Sequence, residues 1–361
     1  MKGLILSGGK GTRLRPLTYT SAKQLIPIAN KPILFYAIDA LAAAGIDDIG
    51  IVTGDTGSEV QAAVGDGSRF GVQVTYIPQP APLGLAHAVQ VSRSFLGDSS
   101  FVMYLGDNLV RRGIVPIVEE FRQSSPDAMI LLAHVAEPRH FGVAEFDDGR
   151  LIRLVEKPMV TTSDLALVGV YVFTSSVFEA IDAIEYSARG ELEITDAIQK
   201  IIDSGQRVES HIITETHQAR VATWKDTGRL EDVLEANRLV LDEIEPRIDV
   251  EIGGDVRVEG KVVIGCDSSL RDCVVRGPAI IGNRVHIDNA FIGPYTSISD
   301  GCTVRNAEVE NSILLEGSEV EGIVGRIDSS LIGKGCVVRG TPARPRAHKL
   351  LLGDHSRLEL S

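Results

Sequence analysis

The sequence predicts two unlike parts: an α/β domain with a mainly parallel sheet over residues 1–245, then a left-handed parallel β-helix over 246–340 and a tail, 341–361. Three observations carry that reading. Through the first part, short apolar runs alternate with helix-like stretches, the pattern of parallel strands joined by crossover helices. Pro246 then closes a charged helical stretch and stands as the hinge. Beyond it apolar residues recur about every six positions, at Ile264, Leu270, Val275, Ile281, Ile287, Ile292, Ile298 and Val304, with Gly265, Gly282 and Gly293 beside them. A coil built of three short strands repeats in this way, and gaps of five residues make the period imperfect.

Composition narrows the function classes. Of 361 residues 24% are charged and 44% hydrophobic, and the net charge of -13 argues against a nucleic-acid backbone or an anionic membrane as partner. The first apolar run, Leu4 to Leu6, is too short for a signal-peptide core, and no stretch approaches a membrane span, so a cytoplasmic protein is expected. The four cysteines, Cys266, Cys273, Cys302 and Cys336, lack the Cys-x-x-Cys spacing of a zinc site and read as small apolar fillers in a reducing compartment. With coils of about 18 residues and strands about 4.8 Å apart, Cys266 and Cys302 stand two coils apart, too far for a disulfide.

The elements follow in order. Gly3-Leu4-Ile5-Leu6 is an apolar strand that runs into Ser7-Gly8-Gly9-Lys10-Gly11-Thr12-Arg13-Leu14, a loop whose bare backbone can wrap phosphates. It is neither of two familiar phosphate loops: Leu14 stands where a dinucleotide fingerprint has its third glycine, and no Gly-Lys-Ser/Thr follows. Residues 33–44 read as a helix with Pro32 at its start and Gly45 past its end. Strands at 49–52, 72–77 and 101–105 alternate with helices at 58–64 and 85–95. In such a sheet ligands lie beyond the carboxyl ends of the strands, where the first loop and Gly106-Asp107-Asn108 both fall. Asp107 alone is equally a helix cap. Pro78-Gln79-Pro80-Ala81-Pro82-Leu83-Gly84 offers an amide for a base edge, or is a surface turn. Strands at 129–134 and 141–146 lead to Glu156-Lys157-Pro158, by itself an ordinary solvated turn. A buried strand at 168–171, an amphipathic helix to about residue 202, Asp226 at a second strand end, and a helix-like stretch at 229–245 complete the first part.

Gly8 to Leu14, Lys23-Gln24-Leu25-Ile26-Pro27 and Lys31-Pro32, followed in order by Leu105-Gly106-Asp107-Asn108, Glu156-Lys157-Pro158, Arg189-Gly190-Glu191-Leu192-Glu193-Ile194-Thr195-Asp196 and Trp224-Lys225-Asp226-Thr227-Gly228, resemble the sugar-1-phosphate nucleotidylyltransferases. Within them the resemblance is to glucose-1-phosphate thymidylyltransferases of the long form, which end in a hexapeptide β-helix, and it covers residues 1 to about 340. It implies a Rossmann-like nucleotidyltransferase domain in which a sugar-phosphate oxygen attacks the α-phosphorus of dTTP and releases pyrophosphate. By the same resemblance Arg13, Lys23 and Lys157 would carry the catalytic charges, and the binding roles are implied as follows. Gly8, Gly9, Gly11, Thr12, Arg13, Lys23, Gln24, Gln79, Gly84 and Asp107 bind the nucleotide; Asn108, Gly142, Glu156, Lys157 and Val168 bind glucose 1-phosphate; Asp107 and Asp226 hold Mg²⁺. Lys225 departs from the family, which has an apolar residue there. In an extended segment it should face away from the metal.

Two alternatives stand beside this reading. One is the same transfer with UTP or N-acetylglucosamine 1-phosphate; the other is a bifunctional uridylyltransferase-acetyltransferase, for which the repeat region supplies one histidine, His286. The repeats should support a homo-oligomer, and since the implied site residues all precede Pro246, a chain ending there should keep some activity. The tail carries no functional signal of its own.

Overall fold

The computed structural model describes residues 1–9, 11–19, 21–111, 113–213 and 224–340. Lys10 and the tail, 341–361, lie outside them. The described chain forms two compact units.

The first unit holds residues 1–10, 21–25 and 33–226. Its nine-stranded sheet is mainly parallel: seven strands run one way, while Arg150–Glu156 and Leu165–Phe173 run the other. Lys2–Ser7 lies between Asp48–Thr53 and Phe101–Leu105, parallel to both. Alternation explains why these runs are apolar throughout. Leu4, Leu6, Phe101 and Met103 enter the core on one face, and Ile5, Val102 and Tyr104 the core on the other. Helix Ile33–Ala43 covers the second face with Leu34, Ala37, Ile38 and Leu41, spaced three or four apart, and Gly45, at φ 72°, ends it in the left-handed conformation. The helix expected over 85–95 is two, Leu85–Val91 and Arg93–Leu96, because buried Ser92 turns its hydroxyl back to the Ala88 carbonyl, 2.8 Å away.

The second unit takes in residues 11–20 and 26–32 and then everything from Thr227. The expected boundary at Pro246 is therefore misplaced. Helix Leu230–Leu241, which ends before Glu245, packs Val233 and Leu234 with Leu14, Ile26, Ile313 and Leu315. Long-range packing of this kind leaves no mark in local composition. Beyond it, short strands stack in parallel: Ile264 pairs with Ile281, Ile281 with Ile298, Ile298 with Leu314, and Leu314 with Ile332. This is the arrangement of a β-helix.

Its coils vary about the expected 18 residues: Ile298 pairs with Leu314, a step of 16, and Leu314 with Ile332, a step of 18. Leu270 pairs with Ile287 and Ile287 with Val304, a step of 17. The gaps of five after Leu270, Ile287 and Val304 fall where Asp272, Asn289 and Asn306 turn a tight corner at φ 46–48°. Asp and Asn tolerate that left-handed backbone better than other side chains. Cys266 therefore stacks on Asn283 rather than two coils below Cys302. All four cysteines are free; Cys273 and Cys302 are buried fillers, but Cys266 and Cys336 are exposed.

Candidate active site

The carboxyl ends of the parallel strands converge on one rim. The Gly106 amide donates to the Leu6 carbonyl at 2.9 Å and the Gln79 amide to that of Thr53 at 2.8 Å, so the loops after three strands meet there. Gly8 sits against Gln79: a Cβ at Gly8 would lie 3.0 Å from the Gln79 Oε1. The Gln79 side-chain amide donates to the Gly84 carbonyl at 3.2 Å and stands 3.0 Å from His87 Nδ1. Burial lowers the His87 pKa and keeps the ring neutral, able to accept at Nδ1. Gly84 is required by geometry. Its φ is 106°, and a Cβ would fall 2.3 Å from the Leu192 carbonyl oxygen. Gln24 is almost wholly buried, and its Oε1 has no hydrogen-bond partner among the described residues.

Lys23 and Asp107 form an ion pair through the Lys23 Nζ. Burial alone would push the Asp107 carboxyl up, but the Lys23 ammonium outweighs it and holds the group below the usual carboxylate range. Asn108 donates to Asp107 at 3.0 Å and accepts from the Trp224 indole at 2.5 Å. Trp224–Asp226 pairs antiparallel with Asn108–Val110, placing Asp226 opposite Asn108 and so beside Asp107. Within the strand Lys225 alternates with Trp224 and Asp226 and pairs with Leu109, which puts it on the other face. Lys225→Leu should leave turnover within about tenfold of the unaltered chain, as measured by pyrophosphate release; a larger loss would place Lys225 in the site.

The sugar-phosphate candidates gather around Glu156 and Lys157. Lys157, at φ 42°, donates its backbone N–H to the Phe141 carbonyl and ion-pairs with Glu156 at 3.1 Å. A Cβ at Gly142 would lie 3.2 Å from the Glu156 Oε2. Thr195 donates to that same oxygen at 3.4 Å. A cleft of about 740 Å³ opens here, lined by Val155, Glu156, Lys157, Arg189, Glu193 and Asp196. Burial raises the pKa of Glu193 and of Asp196. Val168 differs from expectation: its side chain is wholly buried in the core, so only its backbone is available to a ligand. Gly169 brings that backbone against Asn108, whose Oδ1 would lie 2.9 Å from a Cβ there.

Gly11, Thr12 and Arg13 belong to the second unit. Gly11 takes φ 60° and accepts from the Thr18 hydroxyl at 2.7 Å, and Thr12–Leu14 makes one tight helical turn that leaves Arg13 exposed. Sequence reasoning missed Arg189. Its guanidinium reaches Glu156 at 3.6 Å, Glu191 at 2.7 Å and Glu193 at 3.1 Å inside the cleft. The stretch containing it was visible, but nothing in its spacing joins it to Glu156.

Known proteins resemble this chain. The Nucleotidyl transferase family matches residues 2–243. A glucose-1-phosphate thymidylyltransferase of Streptomyces griseus is 52% identical over 362 residues, covering all of both chains. The low-salt glycan biosynthesis nucleotidyltransferase Agl11 of Haloferax volcanii is 44% identical over 365 residues, again covering all of both. Among solved structures, one from Bacillus anthracis, provisionally described as a glucose-1-phosphate thymidylyltransferase, has 35% identity and a TM-score of 0.62, covering 68% of this chain and 98% of its own. With Lys23 paired to Asp107 and the Glu156–Lys157 cleft in one unit, the chain belongs to the nucleotidyl transferase family.

Proposed function

We propose that this chain transfers a thymidylyl group from dTTP to glucose 1-phosphate, giving dTDP-glucose and pyrophosphate. The observation that carries the reading is the 52% identity, over all of both chains, with the S. griseus enzyme of that name. An oxygen of the sugar phosphate forms a bond to the α-phosphorus, and the bond from that phosphorus to the β-phosphate bridging oxygen breaks. Both reactants are anions, so the protein's task is in-line positioning and neutralisation of repulsion. Lys23, released from Asp107, steadies the α-phosphate, and Arg13 the departing β- and γ-phosphates. Lys157 and Arg189 take the sugar phosphate, Glu156 the sugar hydroxyls, and Gln79 the thymine edge.

Asp107 and Asp226, from paired strands, would hold Mg²⁺. Two carboxylates suit a hard cation that completes its shell with substrate phosphates and water, and among the described residues no third His, Cys, Asp or Glu joins them. When bound, the ion offsets the charge of the triphosphate. No described helix is long and apolar enough to cross a membrane. On this reading the enzyme works in the cytoplasm as a homo-oligomer.

Pyrophosphate release across a grid of triphosphates and sugar 1-phosphates tests the specificity. dTTP with glucose 1-phosphate should give the highest kcat/KM, and dUTP should fall below dTTP by less than roughly a thousandfold, because a missing methyl is worth only about 1–3 kcal/mol. Turnover with ATP or GTP alone, or with N-acetylglucosamine 1-phosphate in preference to glucose 1-phosphate, would overturn it.

A further inference from the structure

Gln79 could offer a base either end of its amide, and its neighbours decide which. The loop after strand Gln73–Pro78 is pinned on both sides of Gly84: the Leu192 amide donates to the Leu83 carbonyl at 2.7 Å, and the Ala86 amide to the Leu192 carbonyl at 3.1 Å. The Gly84 carbonyl, which also accepts from the Ala88 amide at 3.2 Å, is thereby held in place. A carbonyl only accepts, so the end of Gln79 that stands 3.2 Å from it must be the nitrogen; a reversed amide would set two oxygens against each other. Helix Leu85–Val91, anchored by buried Ala86, Ala88 and Val89, brings His87 to the same nitrogen, 3.0 Å from Nδ1.

A neutral imidazole accepts at one nitrogen and donates at the other. With Nδ1 accepting, the His87 proton sits on Nε2, and both hydrogens of the Gln79 amide are taken up, one by Gly84 and one by His87. Oε1 is the end left for a ligand. It faces Gly8, in the loop after the first strand, where a Cβ would come within 3.0 Å. All of these residues belong to the first unit. We propose that His87 is a positioning residue that locks the Gln79 amide with its oxygen toward the base, so that the site takes a pyrimidine carrying a proton on N3, as thymine and uracil do, and repels cytosine, whose N3 is a lone pair. The proposal rests on the reading that Gln79 meets the base of the triphosphate. Burial, which lowers the pKa of the ring, keeps it from the second proton that would turn Nδ1 into a donor facing a donor.

The test reads discrimination rather than rate. Pyrophosphate release gives kcat and KM for dTTP and for dCTP, each with glucose 1-phosphate. His87→Leu, which fills the space without an acceptor, should lower the ratio of kcat/KM for dTTP over dCTP by at least about tenfold, chiefly through the KM for dTTP, while kcat with dTTP and the KM for glucose 1-phosphate stay within about threefold. His87→Asn sets an amide oxygen near the place of Nδ1 and should bring the ratio back to within about threefold of the unaltered chain. A ratio unmoved by His87→Leu, or lowered equally by both variants, would overturn the lock. So would a fall in kcat alone, the mark of a structural role. The tautomer needs no nucleotide: in a chain with isotopically labelled histidine at neutral pH, the His87 ring, assigned in nitrogen NMR by its loss in His87→Asn, should carry its proton on Nε2, and a proton on Nδ1 would refute the arrangement. The unaltered chain separates this idea from the function beneath it. No turnover of any pyrimidine triphosphate would overturn the thymidylyl reading and the selection with it, whereas ordinary use of dTTP with an unmoved ratio would overturn the lock alone.

Discussion

Asp226→Asn should lower turnover by about a thousandfold and raise the Mg²⁺ concentration needed for half-maximal rate, because the change keeps the shape of the side chain while removing one of two anionic oxygen ligands. Asp107 is then the one carboxylate of the pair left to hold the ion. Lys157→Ala removes a charge on the other reactant. Its effect should be a rise of about a hundredfold in the KM for glucose 1-phosphate, with metal dependence unchanged, the residual binding coming from Arg189 in the same cleft. Pyrophosphate release titrated separately against Mg²⁺ and glucose 1-phosphate distinguishes the two. Equal defects in both variants, with one metal curve, would contradict the division of roles.

A chain ending at Glu245 should lose all measurable turnover, the reverse of what the order of site residues along the sequence implies. Asn237 is fully buried on helix Leu230–Leu241, donates to the Tyr295 carbonyl at 3.0 Å, and accepts from the Ala29 amide at 2.8 Å and the Ser297 hydroxyl at 2.7 Å. The cut removes Tyr295 and Ser297, leaving part of a buried amide unpaired at a cost of about 1–3 kcal/mol. It also strips Ile313 and Leu315 from Leu14, Ile26, Val233 and Leu234, at about 1.5–3 kcal/mol for each side chain that loses its cover. Together these losses approach the whole stability of a typical domain. Segment 11–20, which presents Arg13, is part of this unit and loses its support. Circular dichroism with the turnover assay checks the expectation. A soluble, folded truncation retaining a tenth of full turnover would show that the second unit is dispensable to the site.

Much of this protein was determined locally. Strand Lys2–Ser7 is apolar at every inward position because both of its faces are buried, and the glycines after it mark where backbone must approach Gln79 and Gly54. The coil repeat was legible because each rung must bury one apolar residue per face, and the tight corner at Asp272, Asn289 and Asn306 accounts for the gaps of five within it. What the tertiary structure alone decided are the meetings of residues far apart in sequence: Lys23 with Asp107, Arg189 with Glu156, Leu14 with Ile313. Spacing encodes which face a residue takes within its own element, since that follows from periods of 2 and 3.6. It does not encode which distant face will be packed against it, so nothing tied Arg189 to Glu156 and helix Leu230–Leu241 looked like the end of the first domain, until packing assigned one to the cleft and the other to the second unit.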